Sequence, residues 1–296
     1  MKIGVDLVSP RARLLVWAAI PLGVEAELVP SDLTSPDYDR LLRFSPEAFA
    51  GDERAHPGTR AIEAYADLLI QKRLFRAIGL PTPPFGRVRG AGEWEAMVMV
   101  GGLPAWLRER SGGRDRLVED RGFSPPEGSY LYERALPYDA ELLLPAARSG
   151  DRIRCYLPAR RSGEVWVAPY PLDAKLEEPL CEQLMRLFLA LGHDGGLEVR
   201  AGLFKGKLHF LDFVPFPTER SLYLPAFAEA HLRGILGYAL PRDEPAGHVA
   251  VAPVENLGRA LESAFARPFV LDRPYVRVEG PTEEALLERL AEVGAA

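Results

Sequence analysis

Apolar positions along this 296-residue chain change period several times, and the changes divide it into segments. Residues 2–8 form a short apolar run that reads as a buried strand. Pro10 to Leu22 reads as a helix closed by Gly23, and Glu25 to Val29 as a second strand. This β-α-β opening is the usual start of an α/β layer. A polar, proline-containing stretch follows from Ser31 to Arg60. From Ala61 to Ile78, the apolar residues Ile62, Tyr65, Leu68, Leu69, Phe75 and Ile78 recur as the stripe of one predicted helix. Gly79 ends it, and Pro81-Thr82-Pro83-Pro84 forces an extended exit.

A small αβ unit comes next: a strand near Phe85 to Val88, a helix near Trp94 to Val100, a strand at Ala105 to Arg108, a glycine-bearing loop, and a strand from Tyr130 to Leu136. Beyond Glu141 strands dominate, at Leu142 to Ala146, Ile153 to Leu157 and Val165 to Tyr170. A helix at Leu180 to Leu191 ends at Gly192. Strands Leu197 to Leu203 and Lys207 to Val214 then flank a turn at Lys205-Gly206. Phe227 to Leu236 reads as a helix and Arg242 to Pro253 as a linker. The tail reads as a helix (Asn256 to Ala266), a strand (Tyr275 to Glu279) and a closing helix (Thr282 to Val293), whose start is marked by Pro281-Thr282-Glu283-Glu284. The fold class is α/β, with an α+β central part, and the expected boundaries are 1–78, 79–140, 141–245 and 246–296.

Composition narrows the function classes. The net charge of −6 argues against nonspecific nucleic-acid binding, which needs clustered basic charge. No apolar run approaches the ~18–20 residues of a membrane span, so no membrane partner is expected. The amino terminus lacks the basic and apolar regions of a secretion signal, and a cytoplasmic location is expected. Cys155 and Cys181 therefore read as buried reduced thiols. The five histidines are scattered, with no metal-ligand spacing. The chain has no Gly-x-Ser-x-Gly elbow, and its first β-α turn lacks a dinucleotide-binding glycine fingerprint.

The candidate chemistry concentrates around residues 131–141. Glu133 and Glu141 stand eight residues apart with Leu136 between them, after a loop holding Ser111, Gly112 and Gly113. Such an arrangement suits the adenosine half of a nucleotide site. A strand-to-loop hinge offers backbone groups to an adenine edge, and an acceptor-only carboxylate suits the two ribose hydroxyls.

Several strings, in this order, resemble the ATP-grasp superfamily and, within it, the carboxyaminoimidazole ribonucleotide synthetases. Gln71 to Phe85 looks like that family's helix and exit into its lid. Ala105 to Gly113 looks like its phosphate-binding strand and glycine loop, and Glu133 to Glu141 like its adenine hinge and ribose carboxylate. Asp212 to Pro217 looks like its metal-ligand strand, and His231 to Gly237 like the helix beyond. The resemblance implies an ATP-grasp fold with a short amino-terminal βαβ unit and a small carboxyl-terminal unit. It also implies ATP and Mg²⁺ as cofactors, a small-molecule substrate of purine-biosynthesis type, and a homodimer. Carried over residue by residue, Lys72, Arg108, Ser111, Gly112, Gly113, Glu133, Leu136 and Glu141 fall at nucleotide-binding positions and Asp212 at a metal position, while Arg200, at the second metal position, is a candidate for a nucleotide phosphate in place of the metal.

The departures from the family's pattern matter as much. Leu7, Val8, Ser9 and Ala12 replace the family's glycines after the first strand, Arg108 replaces a lysine, and Leu68 an arginine. Counting twelve residues back from Asp212, where a second metal carboxylate belongs, gives Arg200; a slip of two residues would offer Glu198. A guanidinium at that position repels a hard cation. Two readings stay open. In one, the chain is a divergent, non-catalytic nucleotide-binding protein. In the other, it is an ATP-dependent carboxylate–amine ligase working through an acyl phosphate on an unidentified substrate.

Overall fold

Three sheets organise the chain. The computed structural model describes every residue except Pro10, Thr34, residues 111–114, Leu222, Pro225, residues 243–246, Asn256, Asp272 and Ala296, together with the Arg259 side chain.

The first sheet contains β1 (Lys2–Asp6), β2 (Glu25–Val29), β3 (Arg40–Leu42) and β4 (Ala55–His56), in the order β2-β1-β3-β4 and parallel throughout. Helix α1 (Ala12–Ala19) lies between β1 and β2 and runs into a 3₁₀ turn that closes at Gly23, with φ of 63°. Ile3 and Val5 are fully buried, as a central parallel strand requires, which is why β1 reads as a continuous apolar run. β3 and β4 lie inside the polar stretch and are too short to give an alternation signal.

The single helix expected over 61–78 is two helices, α2 (Thr59–Ala66) and α3 (Leu68–Ala77). Asp67 separates them. Its backbone is extended, and its carboxylate caps α3 by accepting from the Leu69 N–H at 2.9 Å while Arg110 grips it from outside. Apolar periodicity runs through the break, so the pattern hides it; the capping aspartate was the available signal.

The second sheet is antiparallel, in the order β5-β8-β6-β7, built from β5 (Phe85–Val88), β6 (Ala105–Glu109), β7 (Asp115–Val118) and β8 (Tyr130–Arg134). Helix α4 (Ala91–Gly101) buries Trp94 against Tyr132 beneath it.

The third sheet has nine strands. β9 (Ala140–Ser149), β10 (Arg152–Cys155), β11 (Ala159–Ser162) and β12 (Val165–Ala168) precede helix α5 (Ala174–Leu191). β13 (Gly195–Phe204), β14 (Lys207–Val214) and helix α6 (Phe227–Ile235) follow. β15 (His248–Pro253), α7 (Leu257–Glu262), β16 (Ala266–Val270), β17 (Pro274–Gly280) and α8 (Glu283–Glu292) complete the chain. The order is β14-β13-β9-β11-β12-β15-β17-β16, with β10 also on β9. The stretch expected as a linker thus contains β15, which pairs with both β12 and β17. The tail helix expected to Ala266 stops at Glu262, and Ala266 opens a strand instead.

Helix α5 covers one face of the β9, β13 and β14 part of the third sheet. Leu184, Leu187 and Phe188 are fully buried against Leu142, Val199, Phe210 and the Phe75 ring of α3. The same docking brings Cys181 of α5 to Cys155 of β10, Cα to Cα 6.0 Å, and joins them in a disulfide. Two reduced thiols were expected; a separation of 26 residues along the chain gives no hint of the pairing. Among the described residues, no helix is long and apolar enough to cross a membrane.

Leu184→Ala empties the centre of this layer and is expected to lower the unfolding free energy by about 2–5 kcal/mol. Denaturant titration with an unchanged slope checks it. A loss under about 1 kcal/mol would show that α5 does not pack tightly on this face.

Candidate functional site

The second and third sheets face each other across a cleft, and strand alternation decides what enters it. On β8, Glu133 points inward, buried to 3% exposure. It pairs in register with Phe85 of β5 and Trp106 of β6, and β6 also carries Arg108 inward. From below, α3 supplies Lys72, whose side chain is fully buried. From the third sheet, β13 and β14 set Arg200 directly opposite Asp212, beside a bulge in which β14 carries the extra residue, Leu211, while β9 supplies Glu141.

These side chains form one chain of alternating charge. The Lys72 ammonium pairs with Glu133 Oε2 and donates to the Phe210 carbonyl at 3.3 Å. Arg108 reaches Glu133 Oε1 at 3.5 Å, Asp115 Oδ2 at 3.1 Å and Asp212 Oδ2 at 3.7 Å. Arg200 Nε donates to both Asp212 oxygens, at 2.8 and 3.0 Å, and its Nη2 pairs with Oδ2 as well. Its Nη1 donates to Glu141 Oε1 at 2.9 Å, and Arg161 holds the other Glu141 oxygen at 3.2 Å. Four cations (Lys72, Arg108, Arg161, Arg200) meet four carboxylates (Glu133, Glu141, Asp115, Asp212), so the network is neutral within itself.

The local electrostatics follow from that pairing. Burial alone would raise the Asp212 carboxyl, but Arg200, seconded by Arg108, overrides it and holds Asp212 far below the usual carboxylate range. Burial likewise opposes the charge on Arg200, and Asp212 and Glu141 reverse the effect and raise it. At Lys72 burial wins over the attraction of Glu133 and lowers its pKa.

Tyr138 sits in the middle of this arrangement. Its ring lies flat on β13 over Gly202, so close that a Cβ at position 202 would stand 2.3 Å from ring carbons. The hydroxyl is buried without a hydrogen-bond partner among the described residues. Burial, then the neighbouring Glu133 and Glu141, push it above the ordinary tyrosine range. The hinge backbone is also committed: the Leu136 carbonyl accepts from the Tyr138 N–H at 3.0 Å, and the Asp139 N–H donates to the Leu203 carbonyl at 2.7 Å.

Among the sequence-derived candidates, Lys72, Arg108, Glu133, Glu141, Arg200 and Asp212 therefore come together in one network. Leu136 is half-buried at the hinge. Ser111, Gly112 and Gly113 lie outside the described residues. Glu198, the alternative metal carboxylate, is fully engaged elsewhere. It accepts from the Thr218 N–H, from Thr218 Oγ1 at 2.6 Å and from the Ser221 hydroxyl, which ties down the proline-rich exit from β14. Sequence reading missed Tyr138, Asp115 and Arg161. A glycine on β13 facing the Tyr138 ring was the one available clue.

The donor set does not fit a divalent cation. A hard metal needs several free oxygens at about 2.0–2.6 Å. Here both Asp212 oxygens and one Glu141 oxygen accept from Arg200. Among the described residues no group of three or more His, Cys, Asp or Glu side chains is placed to hold a metal.

No protein-family model matches the chain. It is 25% identical over 253 residues to the N5-carboxyaminoimidazole ribonucleotide synthase of Pseudomonas aeruginosa, spanning 67% of this chain and 70% of that protein. The crystal structure of N5-carboxyaminoimidazole ribonucleotide synthetase from Thermus thermophilus superposes with a TM-score of 0.84 at 22% identity, covering 99% of this chain and 97% of that one. The Aspergillus clavatus synthase in complex with ADP and 5-aminoimidazole ribonucleotide superposes at 0.82 and 15% identity, again over 99% and 97%.

Replacing Asp212 by Asn leaves Arg200 with Glu141 alone and is expected to destabilise the chain by about 2–4 kcal/mol, somewhat less than for a wholly orphaned buried charge. Because the Asp212 pKa is depressed on folding, its contribution is complete above the ordinary aspartate pKa of ~3.9 and fades as pH falls below it. The gap between wild type and variant should be level from pH 8 to 5 and narrow under pH 4. Tyr138→Phe removes an unpaired buried hydroxyl and is expected to be neutral or stabilising by up to about 1–2 kcal/mol. A large loss of stability in that variant would mean the hydroxyl has a partner.

Proposed function

We propose that this chain, which has the ATP-grasp fold, is a non-catalytic nucleotide-binding protein in which guanidinium groups stand where the fold's enzymes would use a metal. One observation carries the reading: Arg200 is clamped by Asp212 and Glu141 at the centre of the cleft. Phosphoryl transfer depends on positioning and charge neutralisation, much of it supplied by Mg²⁺ bridging the phosphates. A side chain fixed in that place excludes the ion by both charge and volume.

Arg108 and Arg200 remain suited to phosphate. A guanidinium presents a planar fork of donors that matches phosphate oxygens two at a time. An entering polyphosphate exchanges places with Asp212 and Glu133 as the acceptor, so its affinity is the difference between two similar ion-pair sets and is modest. Lys72 stays with Glu133 in the closed state. The base side requires Tyr138 to leave Gly202, an additional conformational cost on binding.

The competing reading is an ATP-dependent carboxylate–amine ligase acting through an acyl phosphate. In its favour stands the 25% identity to a synthase over 67% of the chain. Against it stands Arg200. Fold likeness alone does not carry chemistry.

Calorimetric titration with ATP, in EDTA and in excess Mg²⁺, separates the two. The proposal expects the same affinity within about threefold in both, weakening with added salt, and no phosphate or ADP release. It also expects Arg200→Glu, which turns the centre into three carboxylates, to make ATP binding Mg²⁺-dependent. Mg²⁺-dependent ADP release by the wild type would overturn the proposal in favour of the ligase.

A further inference from the structure

Three of the five histidines, unrelated in sequence spacing, converge where the first sheet meets the third. His56 ends β4, His193 follows α5, and His231 lies on α6. Their ring centroids are 4.9 Å apart for His56–His193, nearly parallel, 6.0 Å for His56–His231 and 6.3 Å for His193–His231. The His193 ring also stacks on Phe188, 5.8 Å away and coplanar to 1°. His193 and His231 are buried, and His56 is half-buried.

Hydrogen bonds orient all three rings, and the one to His231 requires its neutral form. His56 Nε2 lies 2.7 Å from the Asp194 carbonyl and His193 Nε2 lies 3.0 Å from the Gly196 carbonyl, so both nitrogens carry a hydrogen. His231 Nδ1 accepts from the Gly196 N–H at 2.9 Å. A proton added to His231 therefore turns an acceptor into a donor facing another donor. A proton added to His193 lands on Nδ1, which is buried without a hydrogen-bond partner among the described residues.

The charged surroundings do not welcome an imidazolium. Arg148 of β9 donates to the His193 carbonyl at 3.1 Å and pairs with Asp194 at 3.6 Å. The Asp194 carboxylate also accepts from the Gly150 N–H at 3.1 Å, so it is already engaged. Arg40 of β3 adds positive charge near His56. Arg43 bonds the Pro57 carbonyl at 2.8 Å, and on α6 Glu229 and Arg233 pair with each other.

We propose that this histidine triad is a proton-operated latch: neutral, it holds β4 against the α5–β13 junction and α6; protonated, the closely packed rings repel one another, His231 loses its bond from the Gly196 N–H, and the seam between β4 and that junction opens. Burial depresses all three rings, His193 to about 4 and, with the proximity of His193, His231 to about 3. Their folded pKa values thus lie under the ordinary ~6.5, so closure is complete above that pH and weakens as pH falls through it. Uptake of one proton changes the closed-to-open ratio at most tenfold per pH unit; coupled uptake by several rings changes it more steeply. β4 leads directly into α2, so the seam that opens is the one that seats the chain segment entering the helices below the cleft.

Amide hydrogen exchange read by mass spectrometry, corrected for intrinsic rate, tests the latch on the full chain between pH 7.5 and 5. The expected result is an opening equilibrium for 55–58 and 193–197 that rises more than tenfold per pH unit below about 6.5, while the β9–β13 ladder stays protected. His231→Asn, whose side-chain oxygen can replace Nδ1 as the Gly196 acceptor, should reduce that slope, and His56→Phe should do the same while keeping the stack. Level protection across the range in the wild type would overturn the latch, and so would an unchanged slope in both variants. The wild-type profile decides even where a variant fails to fold.

Discussion

The pairing of Arg200 with Asp212 across two adjacent antiparallel strands is the constraint on which the cleft depends. The register places the two residues opposite one another, and the bulge just after Arg200 leaves that pair at the break in the ladder. Once the guanidinium is there, the other charges follow. Both Asp212 oxygens accept from it, Glu141 completes the fork, and Arg108 closes the circuit to Glu133 and Lys72. A buried charge without a partner costs several kcal/mol, so each member fixes the next. The cleft is neutral because its charges are matched by each other.

This self-matching explains how so many charged side chains can sit together between the two sheets. A ligand site lined by one sign of charge stores repulsion that the ligand relieves. Here that repulsion is absent, and Tyr138 packed on Gly202 fills space between the sheets with an apolar ring. An anion entering such a network would exchange ion-pair partners in place of a simple gain. Long side chains in such a network lose less than isolated pairs would, because each guanidinium serves two acceptors at once.

Much of this was legible along the chain, for identifiable reasons. The three long elements of the core, β13, β14 and α5, announced themselves because apolar residues sit at the period of each element for ten residues or so. Arg200 stood out because the count back from Asp212 fell on a cation. The short strands β3 and β4 were not legible: two or three residues inside a polar stretch give no alternation, and their pairing is wholly non-local. The break at Asp67 was hidden because the apolar stripe runs on through both helices. β15 was hidden because its partners, β12 and β17, lie far from it in sequence, so a short apolar run between Pro and Gly read as a linker. The histidine triad and the cysteine pair were invisible for the same reason, since four elements must dock before those side chains meet. Tyr138 stood in the strongest motif of the chain but was overlooked, because nothing local says that a hinge tyrosine turns inward onto a glycine of another strand.

The most direct test of Arg200 as the resident cation is a crystal structure of the chain grown with ADP and Mn²⁺, with anomalous data collected at a wavelength where manganese scatters strongly. The expected map shows no anomalous peak near Asp212 and the Arg200 guanidinium still seated between Asp212 and Glu141. A manganese peak within coordination distance of Asp212, with Arg200 swung away, would contradict it and return the cleft to metal-dependent chemistry.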